Sequence, residues 1–148
     1  MASPRRFSDA GLRLSDFYDE VWVVCPGCNK KAVARALREQ ALVRLTCTFC
    51  GYNREESTRL SMGGTLVLPA HRYFNAGLWL QAPLRYGEIV QAYNGAHLNY
   101  LEEYIAAQLR EHRNRTHFTL LEKLPRFYHV ASNRSALLKI IQKLRQKG

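Results

Sequence analysis

The feature that most limits what this chain can fold into is a pair of cysteine turns. Cys25-Pro26-Gly27-Cys28 is answered, after eighteen intervening residues, by Cys47-Thr48-Phe49-Cys50-Gly51. Two residues between cysteines let one tight turn aim both sulfurs at a common point, and two such turns supply the four thiolates of a tetrahedral all-sulfur metal shell. Pro26 and Gly27 suit the bent backbone of the first turn, and Gly51 can take the positive φ that closes the second. The spacing predicts one closed structural zinc site on Cys25, Cys28, Cys47 and Cys50, with iron in the same shell, disulfides or dithiol redox chemistry as alternatives.

The sequence opens Met1-Ala2-Ser3-Pro4-Arg5-Arg6 with no apolar run behind it. The expectation is therefore a chain without a secretory signal, in the reducing cytoplasm, where metal is favoured over disulfides. No apolar stretch approaches the roughly 20 residues needed to span a bilayer, so no membrane partner is expected.

Four sulfur ligands leave a zinc ion no open position for a substrate. The sequence also lacks a Gly-rich phosphate loop, a Gly-x-Ser-x-Gly turn and paired carboxylates on a recognisable scaffold. The expectation is a non-enzymatic protein without a small-molecule substrate. His71, His97, His112, His117 and His129 show no metal-ligand spacing and read as surface or half-buried residues, with His71 the first to check. A zinc tetrathiolate carries two net negative charges, which Lys30, Lys31, Arg44 and Arg54 stand near enough in sequence to offset.

Around the turns the chain divides into an N-terminal arm at 1–20, anchored by Leu12, Leu14, Phe17 and Tyr18, a zinc ribbon at 21–62, and a hairpin with helices at 63–148. Val21-Trp22-Val23-Val24 and Val43-Arg44-Leu45-Thr46-Cys47 read as strands that deliver the chain into each turn. Ala32 to Gln40 has the residues of a helix and the alternation of a strand; a ribbon needs a hairpin there, so strand is preferred. Residues 51–62 are polar and fit a further ribbon strand with a linker ending at Gly63-Gly64, the expected boundary. Thr65-Leu66-Val67-Leu68 follows as a short predicted strand.

Leu78 to Ala82 and Glu88 to Tyr93 predict a β-hairpin. Asn94 is the expected cap of a helix with the stripe Leu98, Leu101, Ile105 and Leu109, its other side Glu102, Glu103 and Gln108 lying in solvent. Leu120, Leu121 and Leu124 suggest a short helical turn, and Ser132 or Asn133 caps a last helix striped by Leu137, Ile140, Ile141 and Leu144. The fold class is α+β: an antiparallel N-terminal zinc ribbon, a β-hairpin and two or more C-terminal helices.

Charge says where a partner would bind. The chain carries a formal +10, and residues 109–148 hold +8 of it through ten cations against Glu111 and Glu122. Arg110, Arg113, Arg115, Arg134, Lys139, Lys143, Arg145 and Lys147 are the expected contacts to nucleic acid, DNA foremost, gripping backbone phosphates. Phe49 and Tyr52 bracket the second cysteine turn, where shielding the sulfurs is expected ahead of stacking on a base; Trp22, Trp79, Tyr93 and Tyr100 are assigned to packing. The alternative is an adaptor that docks the ribbon and hairpin on another protein.

Trp22 to Tyr52, with its Cys-Pro-x-Cys and Cys-x-x-Cys-Gly turns, resembles a zinc ribbon of the transcription-factor-IIB type. Leu78-Trp79-Leu80-Gln81, Gly87-Glu88, Ala92-Tyr93-Asn94, His97-Leu98 and Leu101-Glu102, with Leu124-Pro125-Arg126 and Asn133-Arg134, are similar to small bacterial zinc-ribbon proteins. The resemblance covers most of residues 21–145. It implies a bacterial zinc-ribbon protein with a cysteine-bearing turn between the later strands, where Pro83-Leu84-Arg85-Tyr86 stands in this chain. It supplies no activity.

Overall fold

The computed structural model describes residues 14–110 and 124–148, with side chains for 15–107 and 124–148. The fold is α+β, with a four-stranded antiparallel sheet, a two-stranded sheet and two C-terminal helices. The four strands are β1 (Glu20–Val24), β2 (Lys31–Leu37), β3 (Leu42–Thr46) and β4 (Asn53–Ser57), joined in the order β1-β2-β3-β4.

Alternation explains why these residues form strands. Val21, Val23, Ala32, Ala34, Val43 and Leu45 all fall on the buried face, and register places Ala34 between Val21 and Leu45. The alanines of β2 carry helical propensity, but only the period-2 pattern buries them beside both neighbours, and packing overrides propensity. The strand ends at Leu37; Arg38–Gln40 forms a 3-10 turn closed by Ala41 at a φ of 52°. Ala70, Phe74 and Leu78 complete this core, brought there by a second 3-10 segment, Ala70–Phe74.

The outer edge of β1 is covered. Trp22 N–H donates to the Tyr93 carbonyl at 2.7 Å, Val24 N–H to the Gly77 carbonyl at 2.9 Å, and Trp79 N–H to the Trp22 carbonyl at 2.9 Å. The Asn94 side-chain amide donates to the Glu20 carbonyl at 2.6 Å, so the residue expected to cap the first helix also ties down β1.

On the other face the charges pair. Arg35 meets Glu20 at 2.7 Å and Arg44 meets Glu55 at 2.9 Å; Arg54 and Glu56, opposite Leu45 and Val43 in the register, pair at 2.6 Å on the first face, and Arg38 bonds Asp19 past the end of β2. Exposed pairs such as these are screened by solvent and add little to stability. Arg44 and Arg54 thus each pair with a carboxylate of β4.

Residues 65–68 are not a strand. Thr65 makes one isolated bridge to Arg59, and the neighbouring backbone groups go elsewhere: Leu66 N–H donates to the Thr58 carbonyl at 2.8 Å and Leu68 N–H to the Tyr73 hydroxyl at 2.9 Å. That hydroxyl in turn donates to the Leu66 carbonyl. Strand propensity without a partner strand leaves the backbone to the nearest side chain that can satisfy it.

The chain clusters into two compact units. One comprises Leu14–Gln81 with Gln91–Asn94, so Gly63 lies inside it; the described residues of the other come from Ala82–Val90 and Gly95–Gly148. The hairpin of β5 (Leu80–Pro83) and β6 (Ile89–Ala92) carries the chain from one unit to the other and back.

In the second unit α1 (Gly95–Arg110) and α2 (Arg134–Lys147) pack together. Leu98, Leu101, Tyr104 and Ile105 of α1 and Leu137, Ile141 and Leu144 of α2 are buried, each worth about 1.5 to 3 kcal/mol before entropy. Ile140 is half-buried at the margin of the stripe, and Leu109, Leu120 and Leu121 lie outside the described side chains. Asn133 occupies the N-cap position of α2 without a side-chain cap bond; its amide donates to the Phe127 carbonyl at 3.2 Å. Glu102, expected in solvent, accepts from Gln142 at 2.8 Å and Arg145 at 2.7 Å. Among the described residues no helix is long and apolar enough to cross a membrane.

Candidate metal centre

The two cysteine turns are built alike. In the first, Asn29 N–H donates to the Cys25 carbonyl at 2.9 Å and Cys25 N–H to the Lys30 carbonyl at 2.8 Å. In the second, Gly51 N–H donates to the Cys47 carbonyl at 3.0 Å and Cys47 N–H to the Tyr52 carbonyl at 2.9 Å. Each turn closes on a residue in the left-handed region directly after its second cysteine, Asn29 at a φ of 63° and Gly51 at 79°. Gly51 meets the expectation. In the first turn the positive φ falls on Asn29 and not on Gly27, because asparagine tolerates that region best after glycine.

This duplicated geometry brings the four sulfurs within 4.8 Å of one another. Cys25 Sγ stands 3.6 Å from Cys50 Sγ, and Cys28 Sγ stands 3.6 Å from Cys47 Sγ. A tetrahedron with metal–sulfur bonds of about 2.3 Å has sulfur–sulfur edges of about 3.8 Å, so the cysteines fit a tetrathiolate ion. A disulfide is about 2.05 Å long, and all four cysteines are free thiols. Access is graded: Cys25 and Cys47, which lead their turns, are buried, Cys28 is half-buried and Cys50 is exposed.

The electrostatics ask for a cation. At Cys50 the backbone hydrogen bond from Tyr52 stabilises a thiolate, but burial and the sulfurs of Cys25, Cys28 and Cys47 outweigh it and push the thiol up to about 12. At Cys28 the backbone hydrogen bond from Lys30 is likewise overcome by burial and the Cys47 sulfur, and the thiol is raised. Burial alone would raise Cys47; backbone hydrogen bonds from Cys50 and Phe49 with the Cys28 and Cys25 sulfurs bring it down to about 7. Four thiols this close cannot all ionise without a positive charge among them, and a divalent ion supplies it by displacing their protons.

The surroundings differ in part from expectation. Lys31 Nζ lies 3.4 Å from the Trp22 ring centroid and Lys30 Nζ 5.2 Å from that of Phe49, so both lysines beside the first turn rest on aromatic faces. Tyr52 packs half-buried against the sheet core, as a shielding residue should. Phe49 is 63% exposed and covers little. His71 is half-buried with its ring 5.3 Å from Tyr93, and burial followed by the Arg72 charge lowers it to about 4. His97, expected near the surface, is 5% exposed. His129 bonds the Tyr104 hydroxyl at 2.6 Å; His112 and His117 lie outside the described residues.

The cations expected to contact nucleic acid are not equivalent. Lys139, Lys143 and Lys147 are exposed, and at i, i+4 and i+8 they share one stripe of α2. Arg145 is drawn to α1, and Arg134 is half-buried. The Arg110 side chain, Arg113 and Arg115 lie outside the described residues. Comparison with family models, with curated proteins and with solved structures finds no match.

Proposed function

We propose that residues 21–62 form a zinc ribbon holding one structural Zn²⁺ on Cys25, Cys28, Cys47 and Cys50, and that the protein is a non-enzymatic nucleic-acid binder. The observation carrying the metal is the cluster of four sulfurs within 4.8 Å, a shell complete in protein ligands, with no position for a reacting water. The observation carrying the partner is the exposed stripe of Lys139, Lys143 and Lys147 on a helix that contains no acid. Such a stripe follows phosphates without reading bases.

The metal orders the turns and the sheet, and the lysines neutralise phosphate charge. The test is binding of unrelated DNA and RNA fragments at rising salt, before and after Lys139, Lys143 and Lys147 are replaced with Gln. Each lost phosphate contact should reduce the slope of log affinity against log salt by about 1. An unchanged slope removes α2 from the interface.

A protein-binding adaptor is the second reading, favoured by Leu60, Met62, Leu66 and Val67, which are exposed together on residues 60–67. Wild-type protein that binds no nucleic acid at low salt would favour it.

A further inference from the structure

The turn joining β5 to β6 holds an aromatic side chain where a tight turn least favours one. Leu84 N–H donates to the Glu88 carbonyl at 2.7 Å and Glu88 N–H to the Arg85 carbonyl at 3.1 Å, so Tyr86 and Gly87 are the two central residues of a four-residue turn. Their φ angles are 59° and 75°, the positive pair of a type I′ hairpin turn. Asn-Gly, Asp-Gly and Gly-Gly are the usual occupants, because a larger residue in the left-handed region drives Cβ against its own carbonyl oxygen.

Tyr86 accepts that strain without return from packing, since its side chain is 96% exposed. A strained, unpacked residue at a loop tip points to selection for what it touches. Arg85 beside it is also exposed, so the tip presents a flat π-face and a guanidinium together. The same unit carries α2, which exposes Lys139, Lys143 and Lys147 and contains no acid, and this suits a polyanion better than an apolar protein groove. A ring that stands clear of the fold can insert between unpaired bases, whereas the stacked interior of a duplex gives it no face.

We infer that Tyr86 is a base-stacking residue and that the nucleic acid bound is single-stranded. The inference rests on the nucleic-acid reading above. The lysines of α2 supply affinity for phosphates of any kind, and Tyr86 adds a preference for strands whose bases are present and unpaired. No specific base is selected, because every base offers a π-face.

Full-length zinc-loaded protein is titrated by fluorescence anisotropy against three labelled oligonucleotides of equal phosphate count: a mixed-sequence single strand, its duplex and an abasic single strand. Wild type should bind the mixed single strand about ten-fold more tightly than the abasic one. Tyr86→Asn should abolish that preference, leave abasic binding unchanged and, by relieving the turn, raise the thermal midpoint by about 3 °C. Tyr86→Phe should retain the preference. Equal binding of mixed and abasic strands by wild type, or a preference that survives Tyr86→Asn, overturns the stacking role while the salt response of the lysine variants upholds the broader reading. Failure to bind any of the three overturns both.

Discussion

Arg145 of α2 donates one guanidinium nitrogen to Glu102 of α1 at 2.7 Å and the other to Asn99 at 2.6 Å. One arginine of the basic helix thus fastens the two helices, and the hydrogen bond to Glu102 holds its proton still more firmly than usual. The division of labour on α2 is between a structural arginine and outward lysines.

Arg145→Gln should lower stability by about 1 kcal/mol, in the range of surface charge pairs with good geometry. The same change should leave nucleic-acid affinity within about two-fold, measured beside the triple lysine variant. A larger loss of affinity than of stability would place Arg145 among the phosphate contacts.

Purified protein should contain one zinc per chain by elemental analysis, and Cys47→Ser should lose it along with the tertiary near-ultraviolet signal. Because metal displaces thiol protons, loading should release protons and affinity should fall as pH is lowered. A protein that keeps its tertiary signal in strong chelator with thiols reduced does not depend on the ion.

The left-handed residues after each cysteine pair give a matched test. Gly51→Ala should cost about 1 kcal/mol of stability, since the new Cβ meets open space and only backbone strain opposes it. Asn29→Gly should be neutral within about 0.5 kcal/mol, as the backbone there is already in the region glycine favours. Opposite responses would mean that the Asn29 side chain, not its φ, shapes the first turn.

His97 is buried, and loss of solvation lowers it to about 4. The unfolded chain takes up that proton near 6.5, so between these values the unfolded state binds more protons and stability declines as pH falls. Urea unfolding with zinc in excess should lose about 2 kcal/mol between pH 7 and pH 5 from this residue alone. His97→Gln should flatten the pH dependence in that window, whatever its effect at pH 7.

Tyr73→Phe should cost about 1 to 2 kcal/mol and speed protease cleavage near Leu66 and Val67. The hydroxyl accepts from Leu68 N–H at 2.9 Å and donates to the Leu66 carbonyl; its removal orphans the half-buried Leu68 N–H and leaves the exposed Leu66 carbonyl to water. An unaltered cleavage rate would show that other contacts hold this segment.

What could be read from the sequence was local. The cysteine turns declare themselves by spacing, and β2 by its alternation once a hairpin was required around Ala32 and Ala34. Both helix stripes were legible because apolar residues at three and four apart leave few alternatives. What stayed hidden depended on partners distant in the chain. Arg44 finds Glu55 only through the β3–β4 register, and Glu102 finds Arg145 across 43 residues. Residues 65–68 had strand-forming side chains but no strand to join, and the strain at Tyr86 is invisible until the sign of φ is known.

The covering of β1 by Gly77, Trp79, Tyr93 and Asn94 ties the cysteine-bearing unit to the order of synthesis. Both cysteine turns leave the ribosome well before Tyr93 and Asn94, which accept the Trp22 amide and grip the Glu20 carbonyl. A nascent chain halted after residue 81 would own every sulfur, and Gly77 and Trp79 for one end of the β1 edge, yet leave the Trp22 amide and the Glu20 carbonyl at the other end open to its neighbours. Its hazard on the ribosome would then be edge-to-edge association, ending only when the last four residues of that unit emerge.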